Sequence, residues 1–532
     1  MIASQCPGRS DAAVRGDRIA RPWILCGIVG FGVLYGLVHA SVRLAFSENL
    51  SGAVAFSNVF AQTLSLGYQE RQPPLYEWLV WLVQQATGPN LVSFLLINYG
   101  LLTATFVFLY LSALRLFDDQ RWAMVASLSP LLLYQIGWNI HEGVTHSLVM
   151  TCALAASFWA FMRLSESGRL EDYVLFGIAA GLGLITKYGF VAYLSILIVC
   201  ALFQPPLRAR LLDARMLASV GIATAIAVPF GGWLLANQHD LVQVFDSTVA
   251  PKASDRLTAT MTGLAFASFA PLGFLFPLNV ILLVMFPALL RESWVWAKDG
   301  ARPRWLSVQA LADWPVLLLH MTLAGLGFLV LGAVLMGASN YLERYMHPFF
   351  LLTPLLLLWI AAQDAPARWP VVIGAALLAV TLAVVPIRAV NLVLSMGPGC
   401  RACQLAVPYE GLANQLAARG IGDGTIMVMD RDDGGNLRRL FTDARIVLLR
   451  RPRYAPPVGP QDLTAPALVV WRLPHGESVP PVAAPAIREI GGTVVGAPAK
   501  VRVPWVPLGG ASEPRSWEWM VARVKPSSAP QR

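Results

Sequence analysis

Charge is scarce in this 532-residue chain. Asp, Glu, Lys and Arg together make up 13% of it, against 56% hydrophobic residues. A soluble domain carries about twice that charge, so a soluble globular class is excluded, and a mean hydropathy of +0.58 marks an integral membrane protein over most of the length. Acidic residues are outnumbered, 31 to 40, for a formal charge of +9. The basic residues sit in short turns between apolar spans, which points to the anionic inner leaflet as partner and away from nucleic acid. Cysteines are few, six in all, and Cys26, Cys152 and Cys200 fall inside apolar runs as core residues. No second Cys/His pair accompanies Cys400-Arg-Ala-Cys403, which argues against zinc and for a local structural disulfide in an oxidising compartment. No glycine fingerprint accompanies "IMVMDRDDGG", so it reads as a solvated strand-to-helix turn and not as a nucleotide loop. No internal repeat of the kind many transporters have is evident.

What is present is a series of apolar spans. The pattern predicts an α-helical polytopic membrane protein with about eleven transmembrane helices, at 22–46, 91–115, 121–138, 145–163, 172–186, 188–204, 215–236, 262–290, 314–337, 347–362 and 369–391. The first run, behind Arg9, Arg15, Arg18 and Arg21, is too long for a signal h-region. It reads as an uncleaved signal-anchor, with "VHA" before Ser41 only a weak cleavage site. Arginine-rich turns alternate with poor ones. The poor set holds Arg43, Arg71, Lys187, Lys252, Arg256, Arg344 and Arg388. The positive-inside rule then puts a cytoplasmic tail at 1–21 and the C-terminus outside.

Hydropathy changes near Met396, and 397–532 reads as a small α/β extracytoplasmic domain. "YEGLANQLAARG" predicts an amphipathic helix ended by Gly420, "TIMVMD" a strand, "GGNLRRLF" a short helix, and "ARIVLL" and "ALVVWR" strands. The first outer segment, Ser47 to Asn90, is too long for a turn. Residues 53–66 suit a short helix, and "PPLYEWLVWLVQQA" a second with proline at its start and the interfacial aromatics Tyr76, Trp78 and Trp81. The polar tetrad Gln69–Gln72 would be held between two helices lying on the outer membrane surface, as a wall of a site at the lipid–water boundary.

Four stretches, in order, resemble one family. "GYQERQPPLYEWL" (67–79), "HEGVTHSLVM" (141–150), "GLGLITKYGF" (181–190) and "NYLERYMHPFFLLTPL" (340–355) are similar to motifs of the GT-C membrane glycosyltransferases of the PMT_2 or family 39 type, over about residues 20–390. The resemblance implies a GT-C-like transmembrane domain over 22–396. It implies an inverting transfer of a sugar from a polyprenyl-phosphate donor to an envelope acceptor: lipid A or lipopolysaccharide core, another glycan, or a protein. A loop-one carboxylate is the implied base on the acceptor hydroxyl, and cations hold the leaving phosphate.

Under that resemblance Arg71, Lys187 and Arg344 are candidate phosphate ligands, and Gln72, Tyr76, Tyr188 and Tyr345, in the same stretches, are candidate substrate-binding residues. An isolated lysine in an apolar stretch is costly, which singles out Lys187. Arg71 and Arg344 can equally be a snorkelling residue and a partner of Glu343. Glu142 and His146, four apart, face one way on a helix and could position the acceptor or hold a divalent metal. Two ligands do not make a metal site. Glu70 and Glu77 read as exposed or as neutralising Arg71. The family pattern carries an Asp where this chain has Ala53 or Val54, so Glu48 and Glu142 are the candidate catalytic carboxylates. A catalytically degenerate relative, a lipid or solute transporter and an envelope scaffold are the alternatives.

Overall fold

The computed structural model describes residues 21–237, 255–287, 314–339, 341–397, 403–449, 459–505 and 515–527, with Arg291, Cys400 and Leu508. The N-terminal tail, Lys252 and the basic residues at 298–304 lie outside the described residues.

The chain up to Met396 is helical. Its main elements are α1 (Pro22–Phe46), α2 (Gly52–Phe60), α3 (Leu75–Thr87), α4 (Leu91–Ala113), α5 (Gln120–Leu128), α6 (His146–Ser167), α7 (Leu170–Leu184), α8 (Gly189–Leu202), α9 (Met216–Ala236), α10 (Arg256–Phe274), α11 (Leu278–Met285), α12 (Trp314–Met336), α13 (Thr353–Asp364) and α14 (Trp369–Met396). Among the described residues seven of these, α1, α4, α6, α9, α10, α12 and α14, are long and apolar enough to cross a membrane. The other expected spans are shorter or broken. The 121–138 segment stops as an α-helix at Leu128 because Pro130 follows, and continues as a 3-10 turn over Ser129–Leu132. The 262–290 segment breaks before α11 at Pro277. The two breaks satisfy each other: Tyr134 N donates to Phe276 O at 2.8 Å and Leu133 pairs with Pro277. Irregular backbone at membrane depth persists only where protein supplies such partners.

Burial separates the helices. In its most apolar stretch 72% of α6 is buried but only 11% of α9. Large apolar side chains such as Leu34, Leu37, Leu217 and Leu235 stay exposed, as lipid-facing positions must. The centre of the helical half is therefore α6, and its first residue is His146.

Beyond α14, Cys400 and Cys403 are joined by a disulfide. Helices α15 (Tyr409–Ala417), α16 (Arg431–Leu440) and α17 (Ala483–Glu489) then cover a five-stranded sheet of order β2-β1-β3-β5-β4. Strands β1 (Thr425–Val428), β2 (Arg445–Leu448) and β3 (Ala467–Arg472) are parallel, while β5 (Arg515–Pro526) runs antiparallel to β3 and to β4 (Gly492–Trp505). The β4–β5 hairpin has no counterpart in the sequence reading. Gly496 and Pro498 interrupt the pattern, and they fall in a bulge on the edge strand between Val495 and Ala499, where such residues are tolerated.

The loop-one helix α2 does not lie out on a surface. Val59, Phe60 and Tyr68 belong to the same apolar core as Ile426, Val428, Leu468 and Trp519 of the sheet. The stretch "RDDGG" is a strand-to-helix turn as expected, but it is not solvated. Asp433 is fully buried, accepting from Arg472 Nη2 at 2.6 Å and from the Tyr409 hydroxyl at 3.0 Å, and Asp432 Oδ1 accepts from Gly52 N at 2.8 Å. Gly435 lets the α16 backbone reach α2: a Cβ there would sit 2.5 Å from Ala55 O. Arg438 then reaches over to hold the Asn58 and Ala61 carbonyls at the end of α2, which the helix itself leaves unsatisfied.

Candidate active site

Three polar clusters meet around loop one. The first is a cleft lined by Arg43, Ser51, Val54, Asn98, Tyr99, His141, Glu142 and Gly143. Its floor is a buried network. The His141 ring is held on both sides, Nε2 by the Tyr35 hydroxyl at 2.8 Å and Nδ1 by the Tyr99 hydroxyl at 2.9 Å, and stacks on His39 at 3.9 Å. Arg388, 1% exposed, donates to His39 O at 2.9 Å and His141 O at 3.3 Å. Arg43 donates to the carbonyls of Ser47 and Asn49. Above this floor Glu142 is exposed, with Asn391 Nδ2 3.5 Å from its Oε1. The arrangement presents one accessible carboxylate above two fixed, buried guanidinium groups. That is what a base working on an incoming hydroxyl requires.

The second cluster surrounds the turn between α7 and α8. Lys187 Nζ donates to Ser147 Oγ at 2.8 Å and lies over the Tyr345 ring at 5.6 Å, and Arg344 lies over the same ring at 5.2 Å. Burial, and secondarily the Arg344 charge, hold the Lys187 ammonium below its usual range, at about 8. Tyr188 donates its hydroxyl to Glu70 O at 2.5 Å, and Leu75 N donates to Ile185 O at 3.1 Å. These two bonds bring the Gln69–Gln72 turn, with Arg71 exposed on it, against the Lys187 turn. Among the described residues neither Lys187 nor Arg344 forms an ion pair, so their charge is available to an anion.

The third cluster is a buried pair. Glu77, 1% exposed, accepts from Ser57 Oγ at 2.9 Å and bonds His146 Nε2 at 3.0 Å, and His146 is itself only 6% exposed.

Comparisons with known proteins add a family and a fold. Residues 71–233 match the family described as dolichyl-phosphate-mannose-protein mannosyltransferase, PMT_2. The chain is 27% identical over 446 residues to the lipopolysaccharide core galacturonosyltransferase RgtA of Rhizobium johnstonii, spanning 82% of this chain and 85% of the relative. It is 26% identical over 465 residues to RgtB of the same organism, spanning 86% and 89%. In fold it is similar to ArnT from Cupriavidus metallidurans bound to undecaprenyl phosphate, with a TM-score of 0.54, 13% identity, and 96% and 100% of the two chains covered. The chain thus carries a PMT_2 match over part of its length and is similar to GT-C membrane glycosyltransferases in sequence and fold.

The structure brings some expected residues together and moves others away. Lys187, Tyr188, Arg344 and Tyr345 share one corner with the turn that bears Arg71 and Gln72. Glu142 lines the cleft together with Val54, where the family's acid is expected. Glu48 does not line that cleft: it pairs with Arg439 at 3.0 Å on the C-terminal side, because residues 47–51 run as coil and not as a helix. Tyr76 is a core residue, fully buried with its hydroxyl on Asn98 Oδ1 at 3.0 Å. His146 does not pair with Glu142. Residues 139–142 form a separate 3-10 turn and Gly143 reverses the chain at φ 88°, so the spacing of four falls across a bend. Glu70 and Glu77 are both buried, contrary to the expected exposure. Among the described residues no group of three or more His, Cys, Asp or Glu stands together as a metal site. In the sequence His141 stands in one short outer loop with Glu142 and His146, and Arg388 among the outer-side basic residues, with no role evident for either; both form the cleft floor. Their signal was ionisable groups near apolar runs, the same one that marked Lys187.

Proposed function

We propose that this protein is an inverting membrane glycosyltransferase that moves a sugar from a polyprenyl-phosphate donor to an envelope acceptor at the outer face of the bacterial inner membrane, with the C-terminal domain in the periplasm. The observation that carries it is Glu142, an accessible carboxylate in the same cleft as Val54. A Cβ added to Gly143, next in the chain, would lie 3.3 Å from Val54 Cγ2. Glu142 therefore supplies from the second loop the acid that loop one lacks.

In the reaction Glu142 takes the proton of the acceptor hydroxyl. The oxygen attacks the anomeric carbon, the bond from that carbon to the phosphate oxygen breaks, and polyprenyl phosphate leaves with the electron pair. Lys187, Arg344 and Arg71 offset the charge that develops on the leaving group. Nothing in this scheme needs a nucleotide. The curated relatives support a hexuronic acid as the sugar and lipopolysaccharide core as the acceptor, and the undecaprenyl phosphate bound to the ArnT neighbour supports the donor class. Val54 itself favours a second reading, a degenerate relative without activity.

One experiment decides between the two. Purified protein in nanodiscs is given an undecaprenyl-phosphate-linked uronic acid and core oligosaccharide, and transfer is followed by mass spectrometry. Glu142→Gln should lower turnover by about 100-fold or more, the usual worth of a general base. An active parent matched by Glu142→Gln would remove Glu142 from the chemistry, and an inactive parent in properly inserted protein would support the degenerate reading.

A further inference from the structure

The Glu77–His146 pair has no part in the chemistry above, yet it sits where three elements meet. Glu77 comes from α3, His146 is the first residue of α6, and Ser57, which donates to Glu77, comes from α2. A carboxylate this deep is costly to keep unless every partner is in place. Both its oxygens are used, one by Ser57 and one by His146, while His146 Nδ1 lies 3.2 Å from the Thr145 hydroxyl and the ring packs on Tyr76 at 5.4 Å. The next residue in the chain, Ser147, accepts the Lys187 ammonium at 2.8 Å.

On the far side the path continues into the C-terminal domain. Asn58 Nδ2 donates to Gly435 O at 2.8 Å, and Gln84 Nε2 donates to Asn58 Oδ1 at 2.7 Å. Gln84 lies seven residues after Glu77, two helical turns on, so one face of α3 holds α2 at both points.

We propose that Glu77 and His146 are positioning residues for the donor phosphate: the pair fixes the start of α6 so that Ser147 aims Lys187 at the anion, and it ties that start through α2 to the C-terminal domain. The proposal rests on the reading of Lys187 as a phosphate ligand. It gives the buried pair a function that an apolar pair of equal volume would not serve, since only a hydrogen-bonded pair sets one register among three elements. It also places the C-terminal domain within one connected network with the phosphate site.

The test is a double-mutant cycle on binding of undecaprenyl phosphate to the full chain in nanodiscs. Lys187→Ala should weaken binding about tenfold or more, and Glu77→Gln about fivefold, from loss of charged hydrogen bonds. On the Lys187→Ala background Glu77→Gln should cost nothing further, because the pair acts through the lysine. Equal losses on both backgrounds, or no loss from Glu77→Gln in the parent, would overturn the proposal while leaving Lys187 as a ligand. Unchanged binding by Lys187→Ala would remove the phosphate reading and this inference with it. If Glu77→Gln fails to insert, Ser57→Ala gives the same cycle, with about a twofold first step from loss of a single hydroxyl contact. Additivity there overturns the proposal equally.

Discussion

In the Glu142 cleft the buried arginines donate to backbone carbonyls, whereas in the Lys187 corner the cations meet a hydroxyl and an aromatic face. Arg388 and Arg43 each donate to two backbone carbonyls, and His141 is bracketed by two tyrosines. What the cleft offers outward is a single carboxylate. In the corner, Lys187 has a serine hydroxyl and an aromatic face, and Arg344 has the other cationic contact to the same ring. The corner offers positive charge with little to quench it. A transfer that removes a proton at one point and releases a phosphate at another is served by keeping the cations that face the phosphate apart from the acid. Loop one spans the two: Ser51 and Val54 of its first part line the cleft, and its Gln69–Gln72 turn meets the corner.

The comparison breaks most visibly if the acid can be moved. On a Glu142→Gln background, Val54→Asp should recover about tenfold of the lost turnover, since both positions line one cleft and general-base assistance is worth about 100-fold or more when well placed. Val54 is buried, so the new carboxyl's pKa rises, which strengthens it as a base at neutral pH. A double variant as slow as Glu142→Gln alone would show that the two positions are not interchangeable. The same substitution in the parent should help little, because two neighbouring carboxylates compete for one proton.

Part of this was legible in the sequence. Lys187 and Arg344 stood out as charges in apolar stretches, and the spans α1, α4, α6, α9, α12 and α14 follow from length and hydropathy. The buried pair was not legible. Glu77 and His146 are 69 residues apart in sequence, and each read locally as a polar residue near a helix start. Nor was the docking of α16 on α2 legible. "RDDGGNLRRL" has five charged residues and two glycines, the composition of a solvated turn. Asp432, Asp433 and Arg438 are taken up by Gly52, Arg472, Asn58 and Ala61, groups distant in the chain, and its glycines serve close backbone approach. The expected Glu142–His146 face failed at one residue, Gly143, whose positive φ ends one turn before the next helix begins.

A smaller effect sharpens the contrast through pH. Lys187 is held at about 8, below its usual range, by burial and by Arg344. Its charge is therefore present below that value in the free protein and lost as pH rises through it. Affinity for undecaprenyl phosphate should fall several-fold, up to about tenfold, between pH 7 and 9, by the worth of one charged contact. Lys187→Arg, which stays ionised throughout, should flatten that slope even if its absolute affinity differs. A slope that persists in Lys187→Arg would assign the pH dependence to another group.

The smallest effect concerns the ring between the two cations. Tyr345 presents its face to Lys187 and Arg344 at once, and each such contact is worth about 0.5–1 kcal/mol at a partly exposed site. Tyr345→Leu should therefore weaken undecaprenyl phosphate binding about threefold, by letting both cations leave the geometry that serves one anion. Tyr345→Phe should stay within about twofold of the parent. It keeps the face and loses only the long contact from Arg344 Nη2 to the hydroxyl at 3.3 Å, a neutral acceptor worth little when partly solvated. If Phe proves as costly as Leu, the hydroxyl and not the ring is what matters at this position. Tyr345 would then be a direct ligand of the phosphate, and the corner would owe its order to Ser147 alone.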